Sequence, residues 1–178
     1  MMEDVESVLF DEKELMRIVS GLGERISRDY IGKNLLIVGI LKGSFMFIAD
    51  LMRAITAPCC VDFMAISSYE GTKPSGMVRI LMDLKKPIEG YDVLIVEDIL
   101  DSGMTLSYIL KTLKARNPAS IKICTLLDKP ARRLSEVFPD YTGALVEDRF
   151  IVGYGLDYNE KYRNLPFIGV LKPEFIDS

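Results

Sequence analysis

Val93-Leu94-Ile95-Val96-Glu97-Asp98-Ile99-Leu100-Asp101-Ser102-Gly103-Met104-Thr105-Leu106 is the stretch that decides the fold. Its opening run of aliphatic residues does not alternate with polar ones, the pattern of a strand buried on both faces in a parallel sheet. Two carboxylates, Glu97 and Asp98, stand where that strand runs out, and Asp101 follows in a turn. Ser102, Gly103 and Thr105 then open a helical pattern that continues to about Arg116. The first amides of a helix have no partner inside it. With a permissive glycine and two hydroxyls beside them, they form a cradle for a phosphate. Three acids would repel a bare phosphate. They fit a ligand that carries something more: sugar hydroxyls, a metal ion, or a proton to be removed. Asp98 and Asp101 taken singly read as helix caps and Glu97 as a solvated acid; their density between positions 97 and 105 argues for chemistry.

Outward from this stretch the same alternation repeats. Leu35 to Leu41 and Ser120 to Leu127 are further apolar runs, and Val61 to Ser67 and, less regularly, Val78 to Leu84 read as strands. Asp11 with Glu14 three residues on is an Asp form of the capping box. Leu15, Ile18, Val19, Leu22 and Ile26 follow at helical spacing, which predicts a helix over 12–30. Another is predicted over 45–55. Beyond Pro130 the pattern weakens to short strand-like pieces near Ala144, at 150–155 and at 167–171. Strands alternating with helices predict an α/β fold, a parallel sheet flanked by helices, with ligands beyond the carboxyl ends of the strands. One domain over 1–178 is expected, with a small hood lobe made from the chain ends. The stretch Tyr69 to Gly76 is polar and aperiodic and predicts a mobile loop.

Composition narrows the chemistry. The 178 residues match roughly one domain at about 150 residues each. Twenty-two bases against 26 acids give a net charge of −4, which argues against a basic nucleic-acid-binding domain. The chain has no histidine, so histidine-dependent nucleophile triads, general bases and zinc sites are excluded. Acid–base work falls to carboxylates, lysine or tyrosine. Cys59, Cys60 and Cys124 lack metal or disulfide spacing and read as buried or strand thiols in a reducing compartment. No apolar run reaches the ~20 residues that span a bilayer, and the acidic start lacks a signal-peptide pattern, so a cytoplasmic location is expected.

The segment Val96 to Leu106 resembles the phosphoribosyl-diphosphate (PRPP) signature of type I phosphoribosyltransferases. Leu41-Lys42-Gly43-Ser44, Ser67-Ser68-Tyr69, Leu126-Leu127-Asp128-Lys129-Pro130 and Phe150 to Tyr158 extend the likeness along the chain, and the last two are similar to the hypoxanthine-guanine branch in its bacterial form. The resemblance implies Mg²⁺-dependent transfer of phosphoribosyl from PRPP to a 6-oxopurine, giving a purine nucleotide and pyrophosphate. It implies that Glu97 and Asp98 address the ribose hydroxyls, directly or through Mg²⁺. Asp101, Ser102, Gly103, Met104 and Thr105 would wrap the 5′-phosphate, with Asp101 also the general base at purine N7. Lys42 and Gly43, after a cis peptide at Leu41, would meet the pyrophosphate together with Arg163, Ser68 and Tyr69. Lys129 would donate to O6, Phe150 stack on the base, Ile151 bond its edge, and Asp157 hold a second Mg²⁺. The segment from Ser68 to Met77 would act as a lid.

Met104 stands where relatives often carry a polar or basic residue. Read singly, Lys129 is a strand-end charge, Phe150 a core residue and Asp157 a cap on a short helix at 158–162; only the joint pattern moves them towards a site. Arg132, Arg133 and the charges of 111–116 read as solvated faces. Two rival readings are a pyrimidine-side, RNA-binding regulator of the same superfamily and a catalytically silent PRPP sensor. The net charge and Lys129 weigh against the first, and Asp101, Asp157 and Arg163 against the second. The resemblance also implies a homo-dimer or homo-tetramer, with no membrane and no nucleic-acid partner.

Overall fold

A computed structural model describes residues 1–68 and 78–176. Helix α1, Glu12–Asp29, starts at the predicted capping box: Asp11 accepts from the Glu14 N–H at 2.8 Å, and Glu14 accepts from the Asp11 N–H at 2.9 Å. Leu15, Val19, Leu22 and Ile26 form its buried stripe. Strand β2, Leu35–Leu41, is buried along all but its last residue, as an unbroken apolar run requires. Helix α2 is Phe45–Ala54 and helix α3 is Met104–Lys114. Strands β3 (Cys59–Ser68), β4 (Val78–Met82), β5 (Asp92–Leu100), β6 (Ser120–Asp128) and β7 (Tyr141–Leu145) complete the large sheet.

Its order is β4-β3-β2-β5-β6-β7, and all neighbours run parallel except β4, which turns back along β3. From β2 the chain winds outward one way through α2 to β3; from β5, beside β2, it winds the other way through α3 to β6. The direction of winding therefore reverses between β2 and β5, and the crevice beyond their carboxyl ends is where such sheets bind ligands. Gly39 pairs with Val96, so the two strands run out side by side. One apolar cluster packs α1 and α2 on one face, and a second packs α3 on the other.

The chain ends build the hood. Strand β1, Val5–Phe10, pairs antiparallel with β9, Ile168–Leu171, which pairs with β8, Ile151–Val152. Val152, Tyr162, Leu165, Phe167 and Leu171 give this lobe its own small core. Strand β1 lies ahead of the first element predicted from sequence. Its burial does not alternate, and its four middle residues are all exposed, so it carries no strong apolar pattern. The predicted loop with Tyr69, and with it the lid expectation, lies outside the described residues.

Candidate active site

A cavity of about 520 Å³ opens between the ends of β5 and β6 and the hood. Asp98, Asp101, Lys129, Phe150, Ile151 and Asp157, all predicted site residues, line it. Ile176, near the end of the chain, closes part of its wall, and Arg132, Asp148 and Arg149 reach it as well. Sequence reasoning missed these four because each lies outside any motif and arrives through tertiary packing.

The strand-to-helix turn is built to present amides. Gly103 takes φ +77° immediately before α3. The carbonyls of the turn are already committed on its far side. Leu100 O accepts from the Lys129 N–H at 2.9 Å, and Ser102 O accepts from the Leu134 N–H at 2.9 Å. Asp101 O accepts from Arg133 Nε at 3.0 Å. The opening N–H groups of α3 have no intrahelical acceptor, so the turn offers donors to the open side. Ser102 supports it locally, accepting weakly from the Met104 N–H at 3.4 Å. The Met104 side chain is 48 % exposed.

Arg133 corrects an expectation. It is not a solvated charge: its side chain is 11 % exposed and ion-paired to Asp128, and it also donates to the carbonyls of Leu100 and Val137. A planar fork with five donors suits a position facing several carbonyls at once. Arg132 does stay at the surface, paired to Asp148 at 2.7 Å.

The acids sit in a partly dry place. Burial and the neighbouring Asp98 push Glu97 well above the ordinary carboxylate range. Burial pushes Asp98 up to about 6, against the opposing N–H of Ile99, which it accepts at 2.9 Å. Gly43, after β2, comes so close to Asp98 that any Cβ at position 43 would collide with the carboxylate. Asp101 Oδ1 is buried and has no hydrogen-bond partner among the described residues. A bare buried acceptor is costly.

The cations form a second group. The Leu41–Lys42 peptide is cis. Lys42 Nζ meets Glu160 Oε2 at 3.0 Å. Arg163 donates through Nη1 to Gly155 O at 2.8 Å, while Nη2 pairs with Asp157 Oδ1 at 2.9 Å and Glu160 Oε1 at 3.4 Å. Gly155, at φ +101°, packs directly against the Gly43 carbonyl, leaving no room for a side chain. This contact locks the loop after β2 to the loop holding Asp157 and Arg163. Asp157 does not cap a helix: its Oδ2 accepts from the Glu160 N–H at 2.9 Å within a turn.

At the other end, Lys129 is buried and donates to Arg149 O at 2.9 Å, with Asp148 at 3.8 Å. The Phe150 ring, 40 % exposed, meets Tyr158 edge-on with centroids 5.1 Å apart. Tyr158 donates in turn to the Ile176 carbonyl. The arrangement thus joins an amide cradle, buried acids, a cation pair and an aromatic face with a lysine beside it. Ser68 ends β3, and Tyr69 lies outside the described residues.

Residues 7–159 match the phosphoribosyl transferase domain model. The chain is 50 % identical over 175 residues to a hypoxanthine-guanine phosphoribosyltransferase from Staphylococcus aureus, covering 98 % of each. It is also 50 % identical to part of the bifunctional protein TilS/HprT of Listeria monocytogenes, of whose length it spans 27 %. A crystal structure of a hypoxanthine phosphoribosyltransferase from Staphylococcus aureus superposes with a TM-score of 0.96 at 49 % identity, over 100 % of this chain and 97 % of that one.

Proposed function

The chain belongs to the phosphoribosyltransferase family, and from that premise we propose that it transfers the 5-phosphoribosyl group of PRPP to hypoxanthine or guanine, releasing IMP or GMP and pyrophosphate. The observation that carries this reading is the convergence of Asp101, Lys129 and Phe150 on the wall of one cavity. A 6-oxopurine brings an N–H donor for Asp101, an acceptor for Lys129 and a flat face for Phe150.

The reaction breaks the anomeric C–O bond and forms a C–N bond to purine N9. Positive charge grows on the ribose ring while negative charge leaves with pyrophosphate. Asp101 takes the N7 proton as N9 attacks. Glu97 and Asp98 hold the ribose hydroxyls and favour the ring cation. The turn from Asp101 to Thr105 anchors the 5′-phosphate through backbone amides and hydroxyls. Lys42, the Gly43 backbone and the Arg163 fork receive the pyrophosphate. Adenine presents an amino donor where Lys129 also donates, so donor faces donor and the base is rejected.

The residues fit a magnesium ion. No three acids among the described residues gather as a metal cage, but Mg²⁺ ordinarily takes one or two protein carboxylates plus substrate oxygens; Asp98 and Asp157 offer them at the cavity, with Glu97 next to Asp98 in β5. Two acids pushed up by burial gain by facing a cation. When bound, the ion neutralises charge on the leaving pyrophosphate. The unpaired thiols Cys59, Cys60 and Cys124 suit a cytoplasmic location. No helix among the described residues is long and apolar enough to cross a membrane. Exposed Leu134, Phe138 and Leu145 support a homo-dimer or homo-tetramer.

The test is a panel of bases with PRPP and Mg²⁺, read as pyrophosphate release. Hypoxanthine and guanine are expected to react, and adenine and uracil to be poor. Equal turnover of adenine would remove the role given to Lys129, and uracil as the best base would replace the reading with a pyrimidine-side one.

A further inference from the structure

Lys42 and Arg163 come from loops 121 residues apart in sequence, yet one carboxylate faces both. Glu160 Oε2 lies 3.0 Å from Lys42 Nζ, and its Oε1 lies 3.4 Å from Arg163 Nη2. Its backbone is held for this task. The Glu160 N–H donates to Asp157 at 2.9 Å, and the residue sits at φ +62°, a left-handed conformation that glutamate rarely adopts. The Gly155–Gly43 contact keeps the two loops together underneath. The Glu160 side chain is itself 63 % exposed, and rotation about its own torsions frees Lys42 and removes one of the two carboxylates at Arg163, leaving Asp157 at 2.9 Å.

We propose that Glu160 is an internal stand-in for the leaving group: its carboxylate occupies the cation pair while the site is empty, yields to the pyrophosphate end of PRPP, and competes for the same cations when pyrophosphate must depart. The proposal rests on the assignment of Lys42 and Arg163 to pyrophosphate given above. Two carboxylate oxygens spread across two cations imitate two phosphoryl oxygens. The competitor carries less charge than the ligand and is more exposed. It therefore weakens pyrophosphate binding without abolishing it.

This reading makes a prediction of opposite sign to a structural role. If Glu160 only held Lys42 and Arg163 in position, its loss would weaken anion binding. If it competes, its loss strengthens binding. Exposed ion pairs are weak and screened by salt, so Glu160→Gln should tighten binding of inorganic pyrophosphate only modestly, by roughly 2- to 10-fold. Product inhibition by pyrophosphate should deepen in step, while KM for hypoxanthine stays unchanged. Glu160→Asp, which keeps the charge, should fall between the two.

The measurement is calorimetric titration of the full chain with magnesium pyrophosphate, wild type beside both variants, at low and physiological ionic strength. Tighter binding by Glu160→Gln, with the gain shrinking as salt rises, is the expected result. Wild type that binds pyrophosphate with Glu160→Gln equal or weaker overturns the competition. Wild type that binds no pyrophosphate overturns the assignment of the cations and the competition with it.

Discussion

Asp101 holds a carboxylate oxygen buried without a partner, a state that costs a protein about 1–3 kcal/mol. The residue itself stands on the wall of the cavity. Asp101→Asn keeps the shape and the backbone cradle but removes the proton acceptor. It should lower kcat by ~10²–10⁴-fold while PRPP affinity changes little; steady-state kinetics with hypoxanthine check this, and a variant within a factor of two of wild type would remove the general-base role. Much of this residue-level picture was legible beforehand. Glu97, Asp98 and Asp101 announced themselves by density in one short stretch. Asp157 and Lys129 were legible only as members of a joint pattern, since each alone reads as a cap or a solvated charge. Arg133 was misread outright, because two of the three carbonyls it faces belong to a turn more than 30 residues earlier and no local pattern records them.

Among elements, legibility followed burial. Strand β2 matched its predicted limits because every neighbour of an apolar run in a central strand is another strand or a helix. Strand β3 began two residues early, at Cys59, where the sequence offers two cysteines instead of branched aliphatics. Strands β1 and β8 could not be read cleanly: one is mostly exposed and the other has two residues, and both exist through pairing with β9. The element that holds the phosphate turn is the segment after β6, through the Lys129 and Leu134 amides and the Arg133 side chain. Arg133→Met therefore strips donors from the turn and leaves Asp128 without its ionic partner. Breaking a buried pair in this way costs about 3–5 kcal/mol. A drop of that order in urea unfolding is expected, together with a rise in KM for PRPP that exceeds any rise for hypoxanthine. A variant of unchanged stability would show that the turn holds itself.

At the scale of the molecule, the sheet and the hood were both foreseeable, whereas their meeting was not. That Tyr158, bonded to the Ile176 carbonyl, should brace the aromatic face beside Phe150 depends on how the two ends fold back over the sheet. The end of β5 also has an electrostatic consequence, since burial there raises both Glu97 and Asp98 above their ordinary values. A carboxyl raised in the folded state binds more protons there than in the unfolded chain, so it subtracts stability as pH rises. The penalty is absent below the unfolded value near 4, grows as pH rises and for Asp98 is complete above about 6, with Glu97 displaced in the same direction. Glu97→Gln removes one of the two charges. It should make the ligand-free protein more stable than wild type at pH 8, with the difference vanishing towards pH 4. The same change should weaken PRPP binding and cut turnover, because the charge that strains the empty fold is the one the ribose and its cation require. Urea unfolding of both proteins across this pH range decides the matter. A variant less stable than wild type at pH 8 would mean that Glu97 is compensated within the empty fold and that its charge carries no cost there.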